Sequence, residues 1–311
     1  MEDLLGLGKG AEKLISVVER AIGAVYRPYG IKREADAEDY RRRLLDAAKR
    51  DARGKNIVES AKATIKADII LAEGRRDLEM RMQARLRHEA LREQQNIENV
   101  VVGAFENIQP DVSAENVDDD WIAGFFEHVR TVSNTEMQAL WSSVLALEVG
   151  APGSFSPRSL NVLRKITRRE AGAFQVACQL ASSMFDEASR RSIFCGAYRP
   201  NWMSVVESPK IELSDFGLSF LDRVNLSNIG LIYEDELVNV KGMPRGSKLL
   251  MRFASTRLSL VAKRDNIKLN SYSMTPVGSE LSALIAPEEN SEYIVAMRDS
   301  LSKFFDISDA D

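Results

Sequence analysis

The chain has 311 residues, 44% hydrophobic and 28% charged, with a formal net charge of −4 at pH 7. That length suits about two domains with a sizeable core, and the mild negative charge excludes the global basic field that drives non-specific nucleic-acid binding. Two cysteines, Cys178 and Cys195, and two histidines, His88 and His128, exclude a disulfide scaffold and a His-rich metal centre.

Residues 1–10 lack a basic stretch followed by an apolar one, so no signal peptide is expected. No apolar run approaches the ~20 residues that span a bilayer. The expected compartment is the cytoplasm, with both cysteines as packed, reduced thiols.

Gly6, Gly8 and Gly10 lead into a predicted helix over 11–26. Leu14, Val17, Val18, Ala21, Ile22 and Val25 share one stripe of it, and Pro28 and Gly30 end it. The triple-glycine stretch lacks phosphate-loop spacing. The face from Leu14 to Val25 offers peripheral membrane contact as one reading. Its charge-balanced polar side favours packing on other helices.

Residues 32–99 hold no proline and mix Arg41, Arg42, Arg43, Arg75, Arg76, Arg81, Arg85 and Arg87 with acids. Such alternation gives i,i+4 pairs and a solvated face. The thin apolar content (Leu78, Met82, Leu86 and Leu91 among it) suits a helical hairpin or coiled-coil arm that docks on a partner surface. Interruptions are expected at Gly54 and Gly74.

Pro110 and the run Asp118, Asp119, Asp120 mark a connector. Trp121, Phe125, Phe126 and Val129 then share a helix face. Ser133 or Asn134 can cap the next helix, which carries Met137, Leu140, Trp141, Val144 and Leu145 and stops at Gly150. After the loop Ala151, Pro152, Gly153, Ser154, Phe155, the pair Ser156-Pro157 reads as N-cap and first residue of another helix. One more helix is expected over 168–186.

In the last third, short apolar segments mark a mixed domain: Leu218, Leu221, Val224 and Leu226 lead into Ile229–Ile232, and 248–268 has strand-like segments. Thr275-Pro276 starts a helix that runs through Leu284, and 292–305 reads as a final amphipathic helix.

Two passages carry resemblance. W-I-A-G-F-F, M-Q-A-L-W-S-S-V-L-A-L-E and P-G-S-F-S-P-R-S-L-N-V-L, within 121–163, resemble a bacterial domain-of-unknown-function family distantly similar to the abortive-infection alpha proteins of phage-defence loci. That resemblance implies a context and no reaction. Its signature positions here are Trp121, Trp141, Glu148, Pro152, Gly153, Phe155 and Ser156. The second pair, I-G-L-I and M-T-P-V-G-S-E-L, is similar to the end of a winged-helix domain with an elaborated wing.

No catalytic set stands out. Glu148 can serve as the acid of a polar pocket or, as the favoured reading, pair Arg158 or accept backbone N–H bonds at a helix restart. The three aspartates at 118–120 suit a helix N-terminus better than a metal. Arg164, Lys165, Arg168 and Arg169 are the best candidates for an anionic partner.

The expected fold is mainly α: a long N-terminal helical hairpin or coiled-coil arm (1–106), a central helical domain (107–190) and a small α+β winged-helix-like domain (191–311). The expected function is a non-enzymatic cytoplasmic binding and oligomerisation protein, implied by the resemblance to act as a phage-defence sensor or effector scaffold. The alternative is a nucleic-acid-binding regulator acting through the C-terminal domain. Expected partners are a second copy through the N-terminal helices or another protein, with nucleic acid less favoured; no cofactor and no metal is expected.

Overall fold

The computed structural model describes residues 8–22, 62–184, 191–200, 205–234, 237–238 and 242–310. The break at Pro28 and Gly30, the arginines 41–43 and the interruption at Gly54 lie outside the described residues. The chain divides into two units. One comprises residues 1–111 and 129–146; the other comprises 112–128 and 147–311.

In the first unit, α1 (Lys9–Ile22) turns its stripe inward: Leu14, Val17 and Val18 are buried. That part of the face is packed, α1 having contacts with α2 (Lys62–Asn107); Val25, at the far end of the stripe, lies outside the described residues. Helix α2 is continuous over 46 residues. The interruption expected at Gly74 does not occur, because a single glycine costs a helix only about 1 kcal/mol and the neighbouring residues are strong helix formers. Its last turns bury Ile97, Val100, Val101 and Ala104, spaced i, i+3, i+4, i+7 as one core-facing stripe requires.

A polar seam fixes the register of α2 within this unit. Asn96 donates to the Arg130 carbonyl (2.9 Å) and accepts from Gln138, which also donates to the Val132 carbonyl (2.8 Å). Each buried amide is thus satisfied, which a water-excluded site demands. Asn134 caps α4 (Thr135–Gly150) by accepting the Met137 N–H. Trp141, Val144 and Leu145 of α4 are fully buried.

The second unit overturns the expected fold class. Its centre is an eight-stranded antiparallel sheet in the order β4-β7-β2-β1-β5-β6-β8, with β3 also on β2. The strands are β1 (Ser182–Met184), β2 (Arg191–Pro200), β3 (Val205–Glu207), β4 (Leu237–Val238), β5 (Lys248–Arg252), β6 (Arg257–Ala262), β7 (Lys268–Ser273) and β8 (Phe305–Asp309). The chain is not mainly α with a small winged-helix-like appendix. The two passages read as winged-helix do meet, but only through an isolated antiparallel bridge between Ile232 and Met274, just beyond the end of β7. Strands of two or three residues leave too few positions for alternation to be seen. The helix expected over 168–186 ends at Leu180 for the same reason: Ser182–Met184 is strand β1.

The helices of this unit are α3 (Asp119–Val129), whose last residue belongs to the first unit, α5 (Pro157–Lys165), α6 (Arg168–Leu180), α7 (Phe220–Asn228), α8 (Pro276–Ser282) and α9 (Ser291–Ser302). Their starts are chemically marked. Thr167 with Glu170 and Ser219 with Asp222 form capping boxes. Thr275 caps α8 with Pro276 at its first turn.

Leu249 opposite Leu260 and Met251 opposite Leu258 line the core face of the sheet. Buried Tyr293, Met297 and Leu301 of α9 supply its cover, the Tyr293 hydroxyl donating to the Phe194 carbonyl at 2.8 Å. A register shift between Phe194 and Gly196 of β2 against β7 marks a bulge at Cys195. No helix among the described residues is long and apolar enough to cross a membrane.

Candidate functional site

The signature positions of the second unit converge on one loop. Gly153 takes a left-handed backbone (φ 86°) that glycine adopts without strain, and this folds residues 151–155 back over the end of α4. The Glu148 carboxylate accepts the N–H of Gly153 at 2.7 Å and of Phe155 at 2.9 Å. The Phe155 carbonyl in turn accepts the Trp121 indole N–H at 2.6 Å, and Trp121 stacks on Phe125. Ser156 then caps α5, accepting the Ser159 N–H, with Pro157 in the first turn. Pro152 stands between the two ends of this turn. Trp141 is not part of it; it lies in the core of the first unit.

Burial raises the Glu148 pKa, opposed by hydrogen bonds from Gly153, Phe155 and Ser154, and nearby Glu280 raises it further. Glu148 is only 2% exposed, and both its oxygens are occupied by backbone donors. The arrangement is a clamp that holds a turn. The pairing with Arg158 considered from sequence is replaced by these N–H bonds.

Sequence reasoning missed Glu280, on α8. It accepts the Ser156 N–H at 2.6 Å and the Ser159 hydroxyl, fastening the start of α5 from a position 124 residues away. The sole signal was its place in the Thr275-Pro276 helix start. Gly278, three residues after the cap, lies so close to the chain that a Cβ would stand 2.0 Å from the Leu231 carbonyl oxygen. That contact seats α8 on the segment after α7.

Between this frame and the sheet lies a cleft of about 1030 Å³. Phe155, Phe253 and Met274 give it apolar walls, and Ser154, Tyr233 and Glu280 contribute polar atoms. Its volume is that of a small-molecule site. Serine hydroxyls and an acid are present, but no histidine lines it.

Arg164, Lys165, Arg168 and Arg169 are brought together at the turn between α5 and α6, all exposed. The first pair sits in the last turn of α5, where cations are favoured, and the second pair in the first turn of α6, where they are not. Asp222 offsets part of that cost, 3.8 Å from Arg169. Burial first, and then the Arg164 charge, hold the His128 imidazole below its ordinary pKa.

In the first unit, α2 from Gly74 to Gln95 is almost wholly exposed. Leu78 is 62% and Leu91 73% exposed, and Met80, Met82 and Leu86 are exposed with them. By helical geometry Leu78, Met82 and Leu86 form one stripe, and Met80 with Leu91 forms another on the opposite side.

The family described as protein of unknown function DUF2806 matches residues 80–298. No curated protein and no solved structure matches the chain.

Proposed function

We propose that this chain, which belongs to the DUF2806 family of proteins of unknown function, is a non-enzymatic binding protein that assembles with further copies of itself through α2. The observation that carries this reading is the exposure of Leu78, Met80, Met82, Leu86 and Leu91 within a stretch of 14 residues on a helix whose other end is anchored. Leu78, Met82 and Leu86, stacked on one face of a solvated helix, form a contiguous site of association, and Met80 with Leu91 lies on the opposite face. Each apolar side chain buried in a pairing contributes about 1.5–3 kcal/mol. Arg75, Arg81, Arg87 and Arg92 are interspersed with Asp77, Glu79 and Glu93, so a second copy offers both charges across the seam.

The use of Glu148 and Glu280 as turn clamps supports a binding rather than a catalytic role. The resemblance of residues 121–163 to abortive-infection alpha proteins supports a setting in phage defence, as sensor or scaffold in the cytoplasm.

Light scattering on the purified full chain tests the assembly. A dimer or higher species that Leu78→Glu with Met82→Glu converts to a folded monomer is the expected result. A wild-type chain that stays monomeric at high micromolar concentration overturns it. Unchanged plating of phage on cells expressing the chain removes the defence setting and leaves the assembly standing.

A further inference from the structure

The register of the sheet in the second unit aligns three arginines. Ser183 of β1 pairs with Arg191 of β2 on one side and with Arg252 of β5 on the other. Arg252 in turn pairs with Arg257 of β6. Residues directly opposite one another project from the same face. Arg191, Arg252 and Arg257 therefore stand in one transverse row, about 14 Å long from three strand spacings.

Two of these three charges have no structural use among the described residues. Arg191 is half-buried, and its guanidinium donates to the carbonyls of Cys178 and Ala181 at 3.3 and 3.4 Å, closing the end of α6. Arg252 and Arg257 are exposed, and among the described residues no carboxylate lies within ion-pair distance of either. Like charges directly opposite on adjacent strands destabilise a sheet. A cost of this kind, unrelieved beside a cleft, marks a place that a bound anion would relieve.

Arg191, Ser183 and Arg252 form one wall of the 1030 Å³ cleft. Phe155, Phe253 and Met274 supply apolar surface next to them. Glu280, which also lines the cleft, has Oε2 committed to Ser156 and Ser159, and its carboxylate borders the cleft as an acceptor.

We propose that this cleft binds a nucleotide carrying two or three phosphates. Guanidinium groups pair with phosphate oxygens in a two-pronged geometry; Arg191 and Arg252 line the cleft, and Arg257 stands beside Arg252 on the neighbouring strand, within reach of a phosphate chain that extends past the cleft's edge. The apolar walls suit a flat base. The Glu280 acceptor suits a hydroxyl or amino donor on the sugar or base. The site lies wholly in the second unit, so it is independent of assembly through α2.

Calorimetry on the full chain at low salt, with adenosine triphosphate, pyrophosphate and adenosine as probes, tests this. Adenosine triphosphate is expected to bind at least tenfold more tightly than pyrophosphate or adenosine, and to weaken as salt rises. The double variant Arg252→Gln, Arg257→Gln is expected to lose at least tenfold in affinity while melting no lower than wild type, because it removes a repulsion. Absence of binding at millimolar triphosphate overturns the proposal, as does a double variant that binds like wild type. Pyrophosphate binding as tightly as the nucleotide overturns the base-binding part, and a double variant that melts lower shows the pair to be structural.

Discussion

Glu148 accepts the Phe155 N–H through one carboxylate oxygen and the Gly153 N–H through the other, so that one buried acid closes a seven-residue turn. Glu148→Gln keeps the shape but places an amide NH2 against one of two N–H donors. The variant is expected to lose about 1–3 kcal/mol, the cost of a buried group left unsatisfied. Burial raises the Glu148 pKa, so the native chain binds this proton more readily than the unfolded one. Its contribution to stability therefore falls as pH climbs from the ordinary carboxylate value through the raised one. The deficit of the variant against wild type should be largest at acid pH and narrow above it. Parallel thermal melts from pH 4 to 8 would show this, and a constant gap would contradict it.

Gly278 is pressed onto the Leu231 carbonyl, and a Cβ would meet a backbone atom that cannot rotate away. Gly278→Ala is expected to destabilise the chain by about 3 kcal/mol through forced backbone displacement, despite the better helix propensity of alanine. Gly74→Ala, where a Cβ meets nothing within 4 Å, should instead stabilise α2 by up to about 1 kcal/mol. Denaturant titration of the two variants separates steric from intrinsic effects.

The helix starts were legible because their chemistry is local. Ser156-Pro157 and Thr275-Pro276 each place an acceptor and a fixed φ within two residues. Lys248–Arg252 alternates exposed and buried side chains and reads as a strand from sequence. The sheet as a whole was not legible. β1 and β3 have three residues each and β4 two; β4 depends on pairing with Lys268–Ser273, and β1 and β3 on pairing with Arg191–Pro200, whose residues 193–197 are buried in succession and show no alternation. Of the seven positions that carry the family resemblance, Trp121, Glu148, Pro152, Gly153, Phe155 and Ser156 stand at one turn, whereas Trp141 lies in the other unit. Glu280, Arg191 and Arg252 were not legible, because strand register brings the two arginines to the cleft and Glu280 meets Ser156 across 124 residues of chain.

Glu289 clamps the tip of the β5–β6 hairpin. It accepts from the N–H and hydroxyl of both Ser255 and Thr256, at 2.6 to 2.9 Å. Burial alone would raise its pKa, but these four donors bring it down to about 2. A depressed carboxyl contributes its full stability above the unfolded value of about 4.3 and loses it as pH falls through about 2. The protection of the Ser255 and Thr256 amides, measured against the intrinsic exchange rate at each pH, should therefore fall in that window in wild type. In Glu289→Gln it should be low already at pH 6 and change little on acidification. Equal protection in both proteins would show that the hairpin holds without the clamp.

Cys178 lies in the last turn of α6, buried, and burial pushes its thiol up to about 12 although Arg191 acts in the opposite direction. The thiolate is the reactive species, and at pH 8 only about one molecule in ten thousand carries it at such a pKa. Cys195 is buried in the bulge of β2. The native chain should thus leave both cysteines unlabelled by a thiol reagent at pH 8 over an hour, and release two reactive thiols per chain in denaturant. The labelling rate then reports opening of the second unit. Gly278→Ala, which loosens that unit, should raise it, whereas Leu78→Glu, whose site lies on α2 in the other unit, should not. Rapid labelling of the native wild type would place Cys178 outside the packed core and remove Arg191 from its role at the end of α6.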